Sequence, residues 1–207
     1  MAEMPYADFE YPYKMYSGYL KGNKEGTFKM FYWLVEAYEH PEDAPLLLWL
    51  SGGPGCSSVA GALEELGPFY VNRDGKSLFQ HAYAWNRHAN VLFIESPVGT
   101  GFSYNTEDPK SYTVGDDLTA DINLHALSDF FSRVQPQYKT RTFFISGESY
   151  AGIYIPTLAR LIVRGINDKT FPNTKFQGMM IGNGYCNVEK LANSLILFHH
   201  YHGRIGL

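Results

Sequence analysis

The sequence predicts an α/β protein with a largely parallel sheet, and three observations point to it. Two aromatic and β-branched runs, residues 16–20 and 28–36, surround a Gly-containing loop, which is typical of an antiparallel hairpin. Short, continuously apolar runs follow, and such runs are typical of strands buried on both faces. Stretches with helical spacing separate these runs, and this alternation favours a parallel sheet flanked by helices. No linker-like segment divides residues 1–207, so we expect one domain.

The elements follow in a regular order after the hairpin. Buried strands are predicted at four apolar runs, residues 46–50, 91–94, 142–146 and 178–181. Helices are predicted over residues 117–131, 150–163 and 188–201. Two acidic residues, Asp116 and Asp117, favour the start of the first helix, and Gly203 favours the end of the last.

Composition excludes several classes of protein. With 45% hydrophobic and 18% charged residues, the chain is typical of a globular protein and not of a disordered one. The net charge of −4 and the lack of a Lys/Arg stripe predict no nucleic-acid partner. No apolar run reaches the roughly 18 residues that a membrane-spanning helix needs. Zinc-ligand spacing is absent, and we expect neither a metal nor another cofactor.

A serine lies between the third buried strand and the following helix, in Gly147-Glu148-Ser149-Tyr150-Ala151-Gly152. A nucleophile elbow needs this order, because a sharp turn between small residues lifts the serine hydroxyl clear of the sheet. The short pattern is G-x-S-x-G, and here Ala151 takes the place of the second glycine. The alternative is that Ser149 only caps the helix. A cap explains neither the small flanking residues nor the second motif.

The second motif is a Gly-rich loop, residues 51–58, directly after the first buried strand. Acyl transfer creates a negative oxygen, which backbone N–H groups stabilise, and glycines allow the backbone to come close. In α/β-hydrolases one donor is the residue after the nucleophile, here Tyr150, and the other comes from such a loop. Gly53 is the candidate for that second donor. A plain turn is the alternative, whereas a phosphate loop lacks its lysine.

The two motifs together resemble the serine carboxypeptidase family, the group of cathepsin A and of the yeast and plant carboxypeptidases. The matching stretches span most of the chain in the family's order: residues 16–20, 49–58, 95–104, 147–156 and 181–184. The resemblance implies an α/β-hydrolase that releases C-terminal amino acids from peptides at acidic pH. It implies an acyl-enzyme on Ser149, with the Gly53 and Tyr150 amides as the oxyanion hole.

The resemblance also implies a cluster that binds the substrate carboxylate, at Ser51, Glu65 and Glu148. Two glutamates suit that task only when protonated, and like charges in a poorly solvated site favour the protonated form. The alternative is that Glu65 merely ends an exposed helix. The family has Asn where this chain has Ser51, and a hydroxyl offers one donor where an amide offers two. We therefore expect weaker or altered exopeptidase selectivity.

A second departure concerns the general base. The family's Asp and His come later than the end of this sequence, and the histidines after Ser149 (His199, His200 and His202) are read as surface or interface residues. The chain therefore resembles the N-terminal half of the enzyme, without the cap and the last strands. A second chain carrying the other half is an expected partner, besides the peptide substrate. Alone, the chain is expected to expose sheet edge and apolar surface, and to be poorly soluble.

Several alternatives stay open. Cys56 occupies a position whose family disulfide partner lies far downstream, so a Cys56–Cys186 bond and two free buried thiols are both compatible with the sequence. A homodimer is compatible as well. Acyl transfer to an alcohol, or a non-catalytic binding or protective role, are the alternative functions. The resemblance implies a lysosomal, vacuolar or secreted protein, although the N-terminus carries no visible secretory signal.

Overall fold

A mixed seven-stranded sheet forms the centre of the computed structural model, which describes residues 4–108 and 112–206. Residues 1–3 lie outside the described residues. They belong to the N-terminal stretch in which the sequence shows no secretory signal. The strands of this sheet are β1 (Met15–Lys21), β2 (Phe28–Val35), β3 (Leu46–Leu50), β6 (Asn90–Ile94), β7 (Tyr104–Asn105), β8 (Phe143–Glu148) and β9 (Phe176–Gly182). A separate hairpin consists of β4 (Phe69–Val71) and β5 (Leu78–Gln80).

Within the described residues, four α-helices connect or flank the strands. They are α1 (Ser58–Glu64), α2 (Asp116–Asp129), α3 (Ala151–Asn167) and α4 (Val188–Tyr201). Shorter helical turns follow at Trp85–Arg87, Phe130–Val134 and Pro136–Tyr138. No helix in the described part of the chain is long and apolar enough to cross a bilayer.

The strand order β1-β2-β6-β3-β8-β9 confirms the predicted fold. β1 and β2 form the antiparallel hairpin, and β2 also pairs antiparallel with β6 and β7. β6, β3, β8 and β9 run parallel. All of β3 is buried, as expected for a central parallel strand whose two faces are covered.

Two hydrophobic clusters cover the two faces of the sheet. Leu34, Leu48 and Ile145 belong to the cluster beneath α2 and α3, whereas Trp33 and Trp49 belong to the cluster beneath α1. Neighbouring residues of one strand enter opposite clusters because side chains alternate across a strand. Each fully buried apolar side chain contributes about 1.5–3 kcal/mol relative to an exposed one.

The last strand and last helix form what we call the outer edge, β9 and α4. β9 pairs with β8 on one side only, and α4 has no buried residue. Large apolar side chains are exposed along it: Met179, Met180, Val188, Leu191, Leu195, Ile196, Leu197, Phe198 and Tyr201. The expected exposure of sheet edge and apolar surface is therefore present, and the expected poor solubility stays a prediction.

Candidate active site

Ser149 lies at the sharp turn between β8 and α3, and its φ of +59° is in the left-handed region. A non-glycine residue in that region is held there by its surroundings. The Ser149 N–H donates to the Gly182 carbonyl (2.9 Å), and the Ser149 carbonyl accepts from the N–H groups of Gly152 (2.9 Å) and Tyr185 (2.8 Å). These bonds fix the turn from both sides. Ser149 itself is exposed.

The flanking small residues are required by space. A Cβ at Gly147 would collide with the Leu50 carbonyl oxygen and with the Ala151 Cβ. Ala151 is fully buried, so its methyl group fits where the short motif has glycine. The capping alternative is wrong, because the cap position of α3 is Tyr150 and no side chain caps it.

The Gly-rich loop (residues 51–58) presses against this turn. A Cβ at Gly52 would lie 2.7 Å from the Tyr150 nitrogen and 2.9 Å from the Ser149 Cβ, so only glycine allows the approach. Gly53 has a φ of +111°. Within the described part of the chain, neither the Gly53 N–H nor the Tyr150 N–H donates to another protein group. The two predicted oxyanion donors are therefore unpaired and carried by segments in contact.

The turn alternative for the Gly-rich loop is compatible with this placement. The Cys56 N–H donates to the Gly52 carbonyl (3.1 Å), which closes a tight turn. The turn leads into α1, where the Ser57 hydroxyl caps the helix by accepting from the Ala60 N–H (3.1 Å). The Gly-rich loop can therefore form a tight turn and also present the Gly53 N–H as an oxyanion donor.

Two members of the predicted carboxylate cluster, Ser51 and Glu65, come together around Gly61 on α1, whereas Glu148 lies at the end of β8, next to Gly182. A Cβ at Gly61 would lie 2.6 Å from Ser51 Oγ and 3.7 Å from Glu65 Oε1. Partial burial raises the pKa of Glu65, and repulsion from Glu148 and then Glu64 raises it further. Glu65 follows the last residue of α1 and is exposed, so the alternative of an exposed helix end is also correct.

Sequence reasoning missed one member of this cluster, Trp49. Its indole N–H donates to Ser51 Oγ (3.1 Å), and both side chains are about 5% exposed. Alternate residues of a strand share a face, so the Trp49-x-Ser51 spacing on the buried run was a usable signal. The bond fixes the orientation of the Ser51 hydroxyl.

The side of the site next to α2 is aromatic. The Tyr150 hydroxyl donates to Asp116 Oδ1 (3.1 Å), and its ring lies 5.2 Å from Tyr154 and 5.9 Å from Tyr185. Burial raises the pKa of Tyr154 to about 12. Burial raises the pKa of Tyr150 as well, so its hydroxyl stays protonated at neutral pH and serves as the donor to Asp116.

No histidine reaches the nucleophile among the residues that the structure describes. Ser149 Oγ has no side-chain hydrogen bond there, and His199, His200 and His202 lie on or directly after α4. Their placement agrees with a surface or interface role. Described His, Cys, Asp and Glu side chains form no group that would hold a metal ion.

Both cysteines are free and exposed. The expectation of buried thiols is wrong, because Cys56 lies in the Gly-rich loop at the rim of the sheet and Cys186 lies in the loop after β9. The alternative Cys56–Cys186 bond is not formed either.

Comparison with known proteins decides the family. The family model "serine carboxypeptidase" matches residues 5–206, nearly the whole chain. This chain belongs to the serine carboxypeptidase family. The serine carboxypeptidase ctsa-3.1 of Caenorhabditis elegans is 54% identical over 95% of the chain. The lysosomal protective protein of Mus musculus is 48% identical over 94% of it.

A solved structure agrees with both fold and family. Kex1(Δ)p, a prohormone-processing carboxypeptidase from Saccharomyces cerevisiae, superposes on 93% of this serine carboxypeptidase chain with a TM-score of 0.82 and 32% identity. The chain covers 43% of that structure. It covers 35% of the C. elegans relative and 39% of the mouse relative. The chain thus spans less than half the length of each of these three proteins.

Proposed function

We propose that this chain carries the nucleophile and the oxyanion hole of a serine-type carboxypeptidase. One observation carries the proposal. The free N–H groups of Gly53 and Tyr150 lie on two segments in contact at an exposed, left-handed Ser149. Such paired amides stabilise the negative oxygen of a tetrahedral intermediate.

The proposed reaction begins when Ser149 Oγ attacks the carbonyl carbon of the last peptide bond and gives its proton to a general base. The tetrahedral oxygen accepts from the Gly53 and Tyr150 amides. The C–N bond then breaks, the leaving amine takes the proton, and the C-terminal amino acid departs. Water hydrolyses the acyl-enzyme and restores Ser149. We propose that the base comes from the part of the family fold that this chain does not span.

The carboxylate cluster supports an exopeptidase at acidic pH. Glu65 has a raised pKa, so it stays protonated to a higher pH than an ordinary glutamate and then donates a hydrogen bond to the substrate carboxylate. As pH rises through the pKa of Glu65, the donor is lost and a negative charge replaces it. Substrate binding is therefore expected to weaken with increasing pH. Kinship to the lysosomal protective protein supports an acidic compartment or secretion.

Fluorophosphonate labelling tests this function. The chain is incubated with the probe at pH 5 and pH 7, alone and after co-expression with the C-terminal part of a family member. We expect Ser149-dependent labelling in the presence of that part, with Ser149→Ala as the unlabelled control. If Ser149 is not labelled at either pH, with or without the C-terminal part, and circular dichroism shows that the chain is folded, the proposal is overturned.

Product analysis separates hydrolysis from acyl transfer. Release of a free amino acid from a peptide supports the carboxypeptidase, whereas an ester formed with an added alcohol supports the acyltransferase. Two observations favour a non-catalytic binding role as the second candidate. Ser149 has no histidine partner in the described part of the chain, and the outer edge exposes several large apolar side chains. Labelling of Ser149 would exclude that candidate.

A further inference from the structure

Glu95 is the one Asp or Glu side chain that is buried among residues 4–108 and 112–206. It directly follows β6, at the same rim of the sheet as the Gly-rich loop, and only 1% of it is exposed. Burying a carboxylate is costly unless hydrogen bonds compensate. The role of this residue is not explained by the chemistry proposed above, which uses Ser149, Glu65 and Glu148.

The Glu95 carboxylate binds the end of the Gly-rich loop and the start of α1. Oε1 accepts from the Ser57 hydroxyl (2.8 Å), and Oε2 accepts from the Ser58 N–H (2.8 Å). Burial raises the pKa of Glu95, and these donors, with the Val59 and Phe102 N–H groups, act in the opposite direction. The Ser57 hydroxyl and the Ser58 N–H both donate to Glu95, so its carboxylate is the acceptor that holds the end of the Gly-rich loop and the start of α1.

The other side of Glu95 is anchored to the sheet. Its backbone carbonyl accepts from the Ser103 hydroxyl (2.6 Å), and Ser103 Oγ accepts from the Phe31 N–H (2.9 Å). A Cβ at Gly101 would collide with the Glu95 carboxylate, so the chain between Glu95 and Ser103 closes tightly over it. Glu95 therefore connects the Gly-rich loop to the central sheet.

Both ends of the Gly-rich loop depend on this anchor. Ser58, held by the Glu95 carboxylate, accepts through its Oγ from the Ser51 N–H (3.1 Å). Gly52 and Gly53 lie between Ser51 and Ser58, the two residues fixed in this way. Gly52 is the residue whose backbone comes close to Ser149. We propose that Glu95 is a positioning residue that holds the Gly-rich loop in place for the oxyanion. That Glu95 holds the Gly-rich loop in place does not depend on the proposed function. That this placement serves catalysis rests on the proposed function.

The test compares Glu95→Ala and Glu95→Gln with Asn90→Ala in the full chain. Asn90 is the matched control, since it is equally buried, lies at the other end of β6, and binds residues far from the Gly-rich loop: Ala37, Pro41 and Ala44. Amide hydrogen exchange is measured for residues 51–61 and, as the internal reference, for the central strands. Unfolding by urea is recorded for each variant.

We expect exchange in residues 51–61 to rise about ten- to hundredfold relative to the central strands in Glu95→Ala, the range for losing hydrogen bonds to a charged group. Glu95→Gln keeps the shape and one acceptor oxygen, so we expect a smaller increase. Asn90→Ala should lower global stability while the ratio between loop and strand exchange stays unchanged. Equal ratios in all three variants would overturn the inference, and Glu95→Gln decides if Glu95→Ala does not fold.

Reactivity separates this inference from the proposed function. With the C-terminal part present, Glu95→Gln should slow fluorophosphonate labelling of Ser149 about tenfold or more, and Asn90→Ala should not. If the parent chain is never labelled, the proposed function fails, and exchange of residues 51–61 still decides the structural role of Glu95. The positioning role would be overturned if the Glu95→Gln chain is folded and shows faster amide exchange in residues 51–61, yet Ser149 is labelled at the rate of the parent chain.

Discussion

The rim of the sheet around Ser149 and the outer edge differ in how their groups are satisfied. Around Ser149, close backbone approaches and short hydrogen bonds come from within the chain, and even the buried Glu95 carboxylate accepts from the Ser57 hydroxyl and the Ser58 N–H. Along β9 and α4, large apolar side chains are exposed and no residue of α4 is buried. The first region is organised by this chain alone. The outer edge carries apolar side chains that are typical of a protein core, but these side chains are not buried against other residues.

Leucine truncation gives the largest expected difference between the two regions. Leu158 on α3 is fully buried, whereas Leu195 on α4 is 57% exposed. We expect Leu158→Ala to lower the free energy of unfolding by about 2–5 kcal/mol. The matched Leu195→Ala should change it by less than about 0.5 kcal/mol. Urea denaturation of both variants measures this, and similar losses would mean that α4 is covered in solution.

Glycine substitution sharpens the comparison at the backbone. A Cβ at Gly52 would meet the Tyr150 nitrogen and Ser149 Cβ within 3 Å, whereas a Cβ at Gly178 in β9 would meet nothing within 4 Å. We expect Gly52→Ala to cost about 1–3 kcal/mol. Gly178→Ala should be neutral or stabilise by up to about 1 kcal/mol, through the unfolded chain. Thermal unfolding monitored by circular dichroism compares them, and an unaffected Gly52→Ala would contradict the close approach.

An amide at position 51 probes substrate recognition. Ser51→Asn adds a donor to the carboxylate cluster, so in the active, completed enzyme we expect KM for a peptide acid to fall about three- to tenfold, the value of one net hydrogen bond. The same substitution on the exposed helix, Ser194→Asn, should leave KM unchanged. Steady-state kinetics with a peptide acid and its amide decide it. An unchanged KM for the acid in Ser51→Asn would refute the proposed carboxylate role.

Titration gives the smallest expected effect. Glu148 is one of the charges that raise the pKa of Glu65, so Glu148→Gln should lower that pKa, and Glu189→Gln on α4 should not. A raised pKa means that the folded state holds its proton more tightly. The stability contribution of Glu65 is therefore present below its unfolded pKa and is lost as pH rises through its folded pKa. NMR of the side-chain carboxyl groups measures the pKa of Glu65 directly. If that pKa is the same in Glu148→Gln as in the parent chain, the prediction that Glu148 raises it is wrong.

The long elements were predictable because their local signals are strong. β3 matches the predicted residues 46–50, since a short continuous apolar run is typical of a strand buried on both faces. α4 matches residues 188–201, with Asn187 accepting from the Lys190 N–H at its start and Gly203 at a φ of +65° after its end. Such caps act within a few residues, so the sequence carries them.

Short elements were not predicted. β4 and β5 have three residues each, too few to show a period of two. α1 begins inside the Gly-rich loop, where glycines weaken any helical pattern, and Ser57 and Glu95 supply its start. Ser149, Gly53 and Tyr150 were found from motifs. Trp49 and Glu95 received no role, because their importance lies in partners distant along the chain.

The sequence by itself determined the strand–turn–helix around Ser149, the glycines that permit close approach, and the family. The tertiary structure decided which separate segments meet. β3 pairs in parallel with β8, with Leu50 opposite Gly147, so the loops after both strands leave the sheet at the same rim. That pairing brings the Gly53 and Tyr150 amides to one serine, and Glu95 arrives there from β6 on the other side of β3. Local propensity acts over a few residues, whereas this juxtaposition follows from strand order and register.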